Sequence, residues 1–462
     1  MEMIKEPERL YRLIEEYGRM HSLDGYTPHR RGQRLNGLIA EMLLCWGINA
    51  EANLRSHGEI DVAFELGSRH FIVEAKWEAT RTDTGALSKL QKRLRQRLGG
   101  TVGMFVSMSG YTDEALEDLK EGEQLMVLCL TQDHLESMLS GFIPPEELIG
   151  KVVEKASRRG VGYVEILNLF DPPYISEMKP EFAHPPEISQ LVIDSVPGFD
   201  AHTVISSLPF GQSGIAELAP ARLLVTSNEG IFLADLKSKE VRPWLRILNC
   251  SRNPLVQSDG SVFVTRKSGV ARIANGRFKI VAGGFPGNAF LSSSRNGIVW
   301  AFSNGSSHIS GGDAPPRAVS IGDRLGLQSG WSLDHSVEAH AASYVNNATF
   351  LVCGSTIALI SPSSRDELVS ARENPLTNPG GLARLTDNKF IVACNDVELW
   401  EIDISTREFR KIAKLQLQGS VYELTVINEE SGYLFCYYPA ESGQTRGIIV
   451  RWQYSPLSVH AA

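Results

Sequence analysis

Three residues combine type and spacing in a way that points to chemistry: Asp61, Glu74 and Lys76. They lie within residues 58–77, two β-branched and aromatic runs joined by Gly67-Ser68. Gly at the first central position suits a two-residue type II′ hairpin. Counting outward from that turn sets Leu66 against Arg69, Phe64 against Phe71, Val62 against Val73, and Asp61 against Glu74. Facing residues share one side of a sheet, with Cβ atoms roughly 4.5–5.5 Å apart. Lys76, two positions beyond Glu74, falls on that side as well. Facing carboxylates repel unless a cation lies between them, and hard divalent cations take carboxylate oxygens. The spacing therefore predicts a metal site. Glu59 is expected on the same face opposite Lys76, as its salt-bridge partner or tuner.

The elements that must hold this hairpin are readable on both sides of it. Residues 7–21 predict an amphipathic helix, and 22–32 a turn-rich segment carrying Arg30 and Arg31. A helix over 33–46 follows, with Leu35, Leu38, Ile39, Met42, Leu43 and Trp46 at helical spacing and Gly47 closing it. Glu41 lies off that apolar stripe. A short strand is expected over 50–55. After the hairpin, 82–98 reads as a helix with Leu87, Leu90, Leu94 and Leu98 on one side and Lys89, Lys92, Arg93, Arg95 and Arg97 around the rest. Strands at 101–107 and 125–130 alternate with helices at 113–120, 133–139 and 145–159. This alternation predicts a mixed sheet covered on both faces.

A chain of 462 residues requires two or three domains. Its 42% hydrophobic and 22% charged residues are those of a soluble globular protein. With a formal charge of -8, any nucleic-acid contact must use a local basic patch. The six cysteines are scattered without metal-ligand spacing and read as reduced core thiols. Residues 2–12 are charged, with no apolar leader segment and no run of membrane-spanning length, so no membrane partner and a cytoplasmic location are expected.

Residues 171–189 are Pro-rich and mostly polar, and beyond them helical periodicity gives way to short strands. The segment from Ile215 to Glu229 repeats from Leu382 to Asp396, an offset of 167 residues. Four-stranded propeller blades recur at roughly 40–45 residues, so four periods fill that offset. Strand–turn–strand patterns at 255–273, 289–302, 340–360 and 424–437 occupy the other registers. Six blades are expected between about 214 and 455, with 191–196 closing the ring against the last one. The domains are then 1–165, a linker at 166–189, and a propeller at 190–462.

With Glu41, Gly58-Glu59-Ile60-Asp61, Glu74-Ala75-Lys76-Trp77, Gln91 and the strand-loop from Gly103 to Tyr111, the segment 31–140 resembles the PD-(D/E)XK, or restriction-endonuclease-like, nucleases, above all the Mrr-like branch. Ile60 stands where the name motif has proline, a residue that is not a ligand. The resemblance implies an α/β restriction-endonuclease-like mixed sheet with flanking helices. It also implies phosphodiester hydrolysis with Mg²⁺, for which Mn²⁺ substitutes, held by Asp61, Glu74 and the Ala75 carbonyl. Lys76 would orient water and stabilise the phosphorane. Glu41 is an accessory metal or water contact by the same resemblance, or else an exposed helix carboxylate. Gln91 either positions Lys76 or the phosphate, or is a surface residue. Lys89, Lys92 and Arg93, with Arg30 and Arg31, are candidate backbone-phosphate contacts or a solvated face.

The expected protein is thus a Mg²⁺-dependent endonuclease acting on DNA, a preference that rests on the Mrr-like resemblance. The all-β propeller offers no catalytic set, so it is expected to sense or dock an unknown protein or ligand. Nuclease-plus-recognition chains resemble bacterial defence effectors by architecture alone. A homodimer is expected because double-strand cutting usually needs two sites. The alternative is a catalytically silent scaffold that binds nucleic acid or protein.

Overall fold

The computed structural model describes residues 4–55, 59–121, 125–170, 180–182, 191–208, 213–245, 250, 254–285, 289–294, 296–303, 317–326, 329–332, 340–394, 396–417, 419–439 and 445–454. Gly58 and most of the Pro-rich stretch, 171–179 and 183–190, lie outside the described residues.

The N-terminal body begins with α1 (Pro7–Ser22) and α2 (Pro28–Cys45), then β1 (Ala50–Arg55), β2 (Glu59–Leu66) and β3 (Arg69–Lys76). Next come α3 (Thr84–Leu94), β4 (Val102–Ser107), α4 (Asp113–Glu121), β5 (Val127–Thr131), α5 (Gln132–Leu139), α6 (Pro145–Arg159) and the one-turn α7 (Ile166–Leu169). The strands form one sheet in the order β1-β2-β3-β4-β5, antiparallel as far as β3 and parallel beyond it. The change of direction follows from the connections. A two-residue turn reverses the chain, whereas a crossover helix returns it to the same end. Helices α3 and α4 cover one face through Leu87, Leu90, Leu94, Ala115 and Leu119. The other face carries α1, α2, α5 and α6.

Two helices differ from expectation. Helix α2 starts at Pro28, so Arg30 and Arg31 sit in its first turn and not in a loop. Thr27 caps it, its hydroxyl accepting the Arg30 N–H at 3.3 Å, and Pro28 fits the first helical position because no partner is needed for its nitrogen. Helix α3 ends at Leu94 and not at 98; it begins after Asp83, whose carboxylate accepts the Ala86 N–H. Leu98, expected on its apolar side, is 83% exposed.

The C-terminal body is a six-blade propeller, with blades at residues 213–245, 255–282, 289–332, 341–369, 379–415 and 420–454. The two copies of the repeat are blades one and five, four blades apart. Ring closure departs from expectation. β7 (Val192–Ser195) pairs with the outer strand of blade five, while β8 (Phe199–Leu208) closes the ring by pairing with Thr445–Tyr454 of blade six. The closing segment is the longer strand, with Phe199, Ala201, Ile205 and Leu208 buried; in β7 Ile193 is 57% exposed. Parts of the stretch read as linker belong to the two bodies. Ile166 and Leu169 of α7, with Phe170, are buried in the N-terminal core, and β6 (Glu181–Phe182) extends blade six. All six cysteines are buried and unpaired, and no described helix is long and apolar enough to cross a membrane.

One apolar cluster runs from α1, α2, α5 and α6 into blades one and two, through residues such as Phe142, Ile14, Val264 and Ile280. Arg266 ends the strand Val262–Arg266 of blade two, just before its hairpin turn, and is fully buried. Its guanidinium donates to the Phe142 carbonyl at 2.5 Å and to Glu147, and lies 5.5 Å over the Phe170 ring. Lys267 reaches the same carboxylate at 3.2 Å. On α1, Gly18 meets Gly326 so closely that a Cβ there would lie 2.2 Å from the Gly326 carbonyl oxygen. Arg317 joins Glu8 at 3.2 Å and stacks on Tyr11. Losing one partner of a buried ion pair leaves the other uncompensated. Arg266→Ala is therefore expected to cost about 2–4 kcal/mol. Calorimetry should show wild type unfolding in one transition, at a lower temperature in the variant; two transitions in wild type would contradict a shared core.

Candidate active site

The hairpin has the register counted from its turn: Leu66↔Arg69, Phe64↔Phe71 and Val62↔Val73. Gly67 takes φ 62° and Ser68 does not share that sign, as a type II′ turn requires. The ladder then stops at Val62↔Val73. Past that point the Asp61 side chain replaces a backbone acceptor: its Oδ2 takes the Ala75 N–H at 2.8 Å. Its Oδ1 accepts from Asn36 Nδ2 at 3.0 Å, and the same amide reaches Asn53 Oδ1 at 3.1 Å.

Asn53 faces Asp61 from β1 and has φ 55°, a left-handed conformation that Asn tolerates better than most residues. The β1–β2 register passes from Ala52↔Val62 to Leu54↔Ile60 around this point. Val62 packs in the layer under α1 and α2, whereas Ile60 and Leu54 pack in the layer under α3. The strict alternation thus changes phase at Asp61. That break explains why Glu59 does not meet Lys76 as expected: Lys76 Nζ instead lies 3.4 Å from the exposed Glu78.

Glu74 is bound by Arg93 of α3. Burial holds its carboxyl above the usual range, and the neighbouring Asp61 charge adds to this; Arg93 and Lys76 oppose it. Asp61 is also raised by burial, opposed by the Ala75 N–H, the Asn36 amide and Arg93. The two carboxylates are therefore close, desolvated and mutually repulsive.

Among the described residues no group of three or more His, Cys, Asp or Glu side chains could hold a metal. The set here is two carboxylates with the Ala75 main chain between Glu74 and Lys76. Asn36 is 8% exposed, and its Oδ1 finds no hydrogen-bond partner among the described residues. Rotating the amide would not help, since both of its present partners are acceptors. Two repelling carboxylates beside an orphaned acceptor fit a hydrated hard cation.

The other expected residues are distributed more widely. Glu41 is bound by Arg34 at 2.7 Å and approached by Arg9 at 3.5 Å. Five residues beyond Asn36, it points about 140° around the helix from it. Gln91 lines a cleft of about 880 Å³ with Arg69, Leu94 and Arg95, at the opposite end of β3 from Lys76. Lys89 and Lys92 are exposed on α3, as is Arg30 on α2. Arg31 instead stacks 4.6 Å over the ring of Trp77, next to Lys76. Asn36 was missed by the sequence reading. The available signal was a polar residue inside the apolar stripe, between Leu35 and Leu38.

Trp77 also packs on Tyr17 and His21, at 5.5 and 4.7 Å between ring centroids. Tyr17 donates to the buried Glu136 at 2.9 Å, as does Gln132 at 2.7 Å. Burial raises Glu136 to about 7. His21 is pushed down to about 4 by burial and by Arg324, Arg31 and Lys279, so its 3.9 Å contact with Glu136 is not an ion pair at neutral pH.

Comparison with known proteins agrees with the N-terminal architecture. Residues 30–139 match the Mrr_cat family model, described as a restriction endonuclease. The chain therefore joins a restriction-endonuclease-like domain of the Mrr type to a six-blade propeller. Similar solved structures include a gluconolactonase from Xanthomonas campestris, 13% identical over 59% of this chain and 95% of that one, with a TM-score of 0.41. A luciferin-regenerating enzyme is 11% identical over 56% and 96%, at 0.40. The WD40 β-propeller domain of Doa1 is 14% identical over 60% and 100%, at 0.37. No curated protein sequence matches the chain.

Two substitutions test this geometry. Asn36→Ala should cost about 1–2 kcal/mol in urea unfolding at pH 7. Asn36→Asp should cost more by setting a third carboxylate beside Asp61, with the gap between the variants shrinking toward pH 4; equal losses at both pH values would contradict the contact. Glu136 keeps its proton in the folded state while the unfolded chain has lost it, so wild type loses stability as pH rises from about 4.5 to about 7. Glu136→Gln removes that loss and should gain up to about 3 kcal/mol on wild type at pH 8, with little gain below pH 4.5.

Proposed function

We propose that this protein is a metal-dependent endonuclease that hydrolyses DNA phosphodiester bonds, with the propeller as a sensing or docking module. The observation that carries the reading is the convergence of Asp61, Glu74 and Lys76 at the end of β3, within a segment matching a restriction-endonuclease family model. Asp61, Glu74 and the Ala75 carbonyl would hold Mg²⁺ or Mn²⁺, which supplies the Lewis acidity that phosphodiester hydrolysis needs.

The chain's own residues do the rest. Asn36 and the Ala75 N–H fix both oxygens of Asp61, so that carboxylate does not reorganise. Lys76 forms an ion pair with Glu78, which is 58% exposed, and such a pair is weak enough to give way to a phosphate. Its ammonium then sits where charge builds on the phosphorus oxygens and can orient the attacking water. Lys89, Lys92 and Arg30, exposed on α3 and α2, can follow the backbone phosphates by charge without reading sequence.

DNA as substrate follows the Mrr-like family match, and a role in defence against foreign DNA follows the architecture. A cytoplasmic location and a homodimer belong to this same reading. One observation favours the second reading, a silent scaffold: Glu74 already has a counter-ion in Arg93.

Plasmid DNA and single-stranded RNA incubated with the full chain, with Mg²⁺ or with EDTA, separate the two. Expected is metal-dependent cutting of the plasmid, reduced at least ~100-fold in Asp61→Ala and Lys76→Ala. Cutting that survives both substitutions, or none in cell or phage extract as well as in buffer, would overturn the proposal. Cutting only after extract is added would assign the trigger to the propeller.

A further inference from the structure

Asp61 and Glu74 repel, and the cation that answers them in this structure comes from the chain itself. The Arg93 guanidinium binds Glu74 Oε2, and its charge acts on Asp61 as well. Lys76, the other cation at hand, has its ammonium on Glu78. A guanidinium does not deprotonate at any working pH. A divalent cation drawn to Glu74 therefore competes with Arg93 for the charge of the same carboxylate.

What could draw Arg93 away is suggested by its position. It lies one helical turn after Lys89 and beside Lys92, both exposed, and its own side chain is 37% exposed. A guanidinium fork fits two phosphate oxygens as well as it fits a carboxylate. We propose that Arg93 is a positioning residue that couples cation loading to nucleic-acid binding. It holds Glu74 until a backbone phosphate takes the guanidinium, and the released carboxylate then turns to the cation. This rests on the nuclease reading above. By linkage, nucleic acid tightens the cation site and the cation tightens nucleic-acid binding by the same factor. A chain without substrate would hold its cation poorly and stay idle.

The test is Mn²⁺ binding to the full chain, followed by the electron-spin resonance of the free ion. It is made with and without a phosphorothioate duplex, which keeps the backbone charge and resists cutting. Wild type is expected to bind Mn²⁺ about tenfold more tightly with the duplex. Arg93→Gln should bind about tenfold more tightly than wild type without duplex, and the duplex should then change its affinity less than about twofold. Arg93→Lys, which keeps the charge and loses the fork, should fall between them. Glu74→Gln should remove the site in both conditions, identifying the ion that is counted. Thermal melts confirm that each variant is folded. The proposal is overturned if Arg93→Gln binds Mn²⁺ no better than wild type, or if its response to duplex is undiminished. Failure of folded wild type to bind Mn²⁺ in either condition would overturn the metal site itself, and the coupling with it.

Discussion

Two carboxylates placed opposite each other in a half-buried sheet are unstable neighbours, and the surroundings of Asp61 and Glu74 are arranged around that repulsion. Donors are recruited from three directions: the Asn36 amide from α2, the Ala75 N–H from the adjoining strand, and the Arg93 guanidinium from α3. The first two are tied to local departures from regularity. The β2–β3 ladder ends where Asp61 takes the Ala75 amide, and β1 turns left-handed at Asn53 so that Asn36 can bridge two strands. The site lies where the sheet stops being regular, which is where side chains can replace ladder partners.

The same layer of helices that supplies Asn36 also faces the propeller. Trp77 follows Lys76 directly and is enclosed by Arg31, Tyr17 and His21; Tyr17 in turn holds Glu136 on α5, within the field of Lys279 in blade two. Arg266 and the glycine contact at Gly18 fix the two bodies at other points. The propeller and the hairpin are therefore joined through a packed layer of buried side chains.

Much of this was readable in the sequence wherever distance along the chain translates into distance in space. A two-residue turn fixes strand register by counting, so the meeting of Asp61 and Glu74 followed from Gly67-Ser68. A repeat at propeller spacing fixed the number of blades. What depends on side chains far apart in sequence was not readable. Glu41 satisfies Arg34 because α1 brings Glu16 to that same guanidinium, and no periodicity reports this. Asn36 stood out only as a polar residue in an apolar stripe, its purpose unknown without Asn53 and Asp61. The ring closes through 199–208 and not 191–196 because both stretches are strand-like, and the choice between them is made by partners more than two hundred residues away.

That closure has a consequence for how the protein is made. In blade six, β6 and β8 are synthesised first, and β8 must wait for Thr445–Tyr454 before the ring can close. At about 5–20 residues per second, the wait is roughly ten to fifty seconds. During that time the N-terminal domain is complete, with the apolar face that will meet blades one and two still uncovered. The newborn chain thus passes through a stage in which a finished N-terminal domain exists without its partner, and the late arrival of the C-terminal strands sets how long that stage lasts.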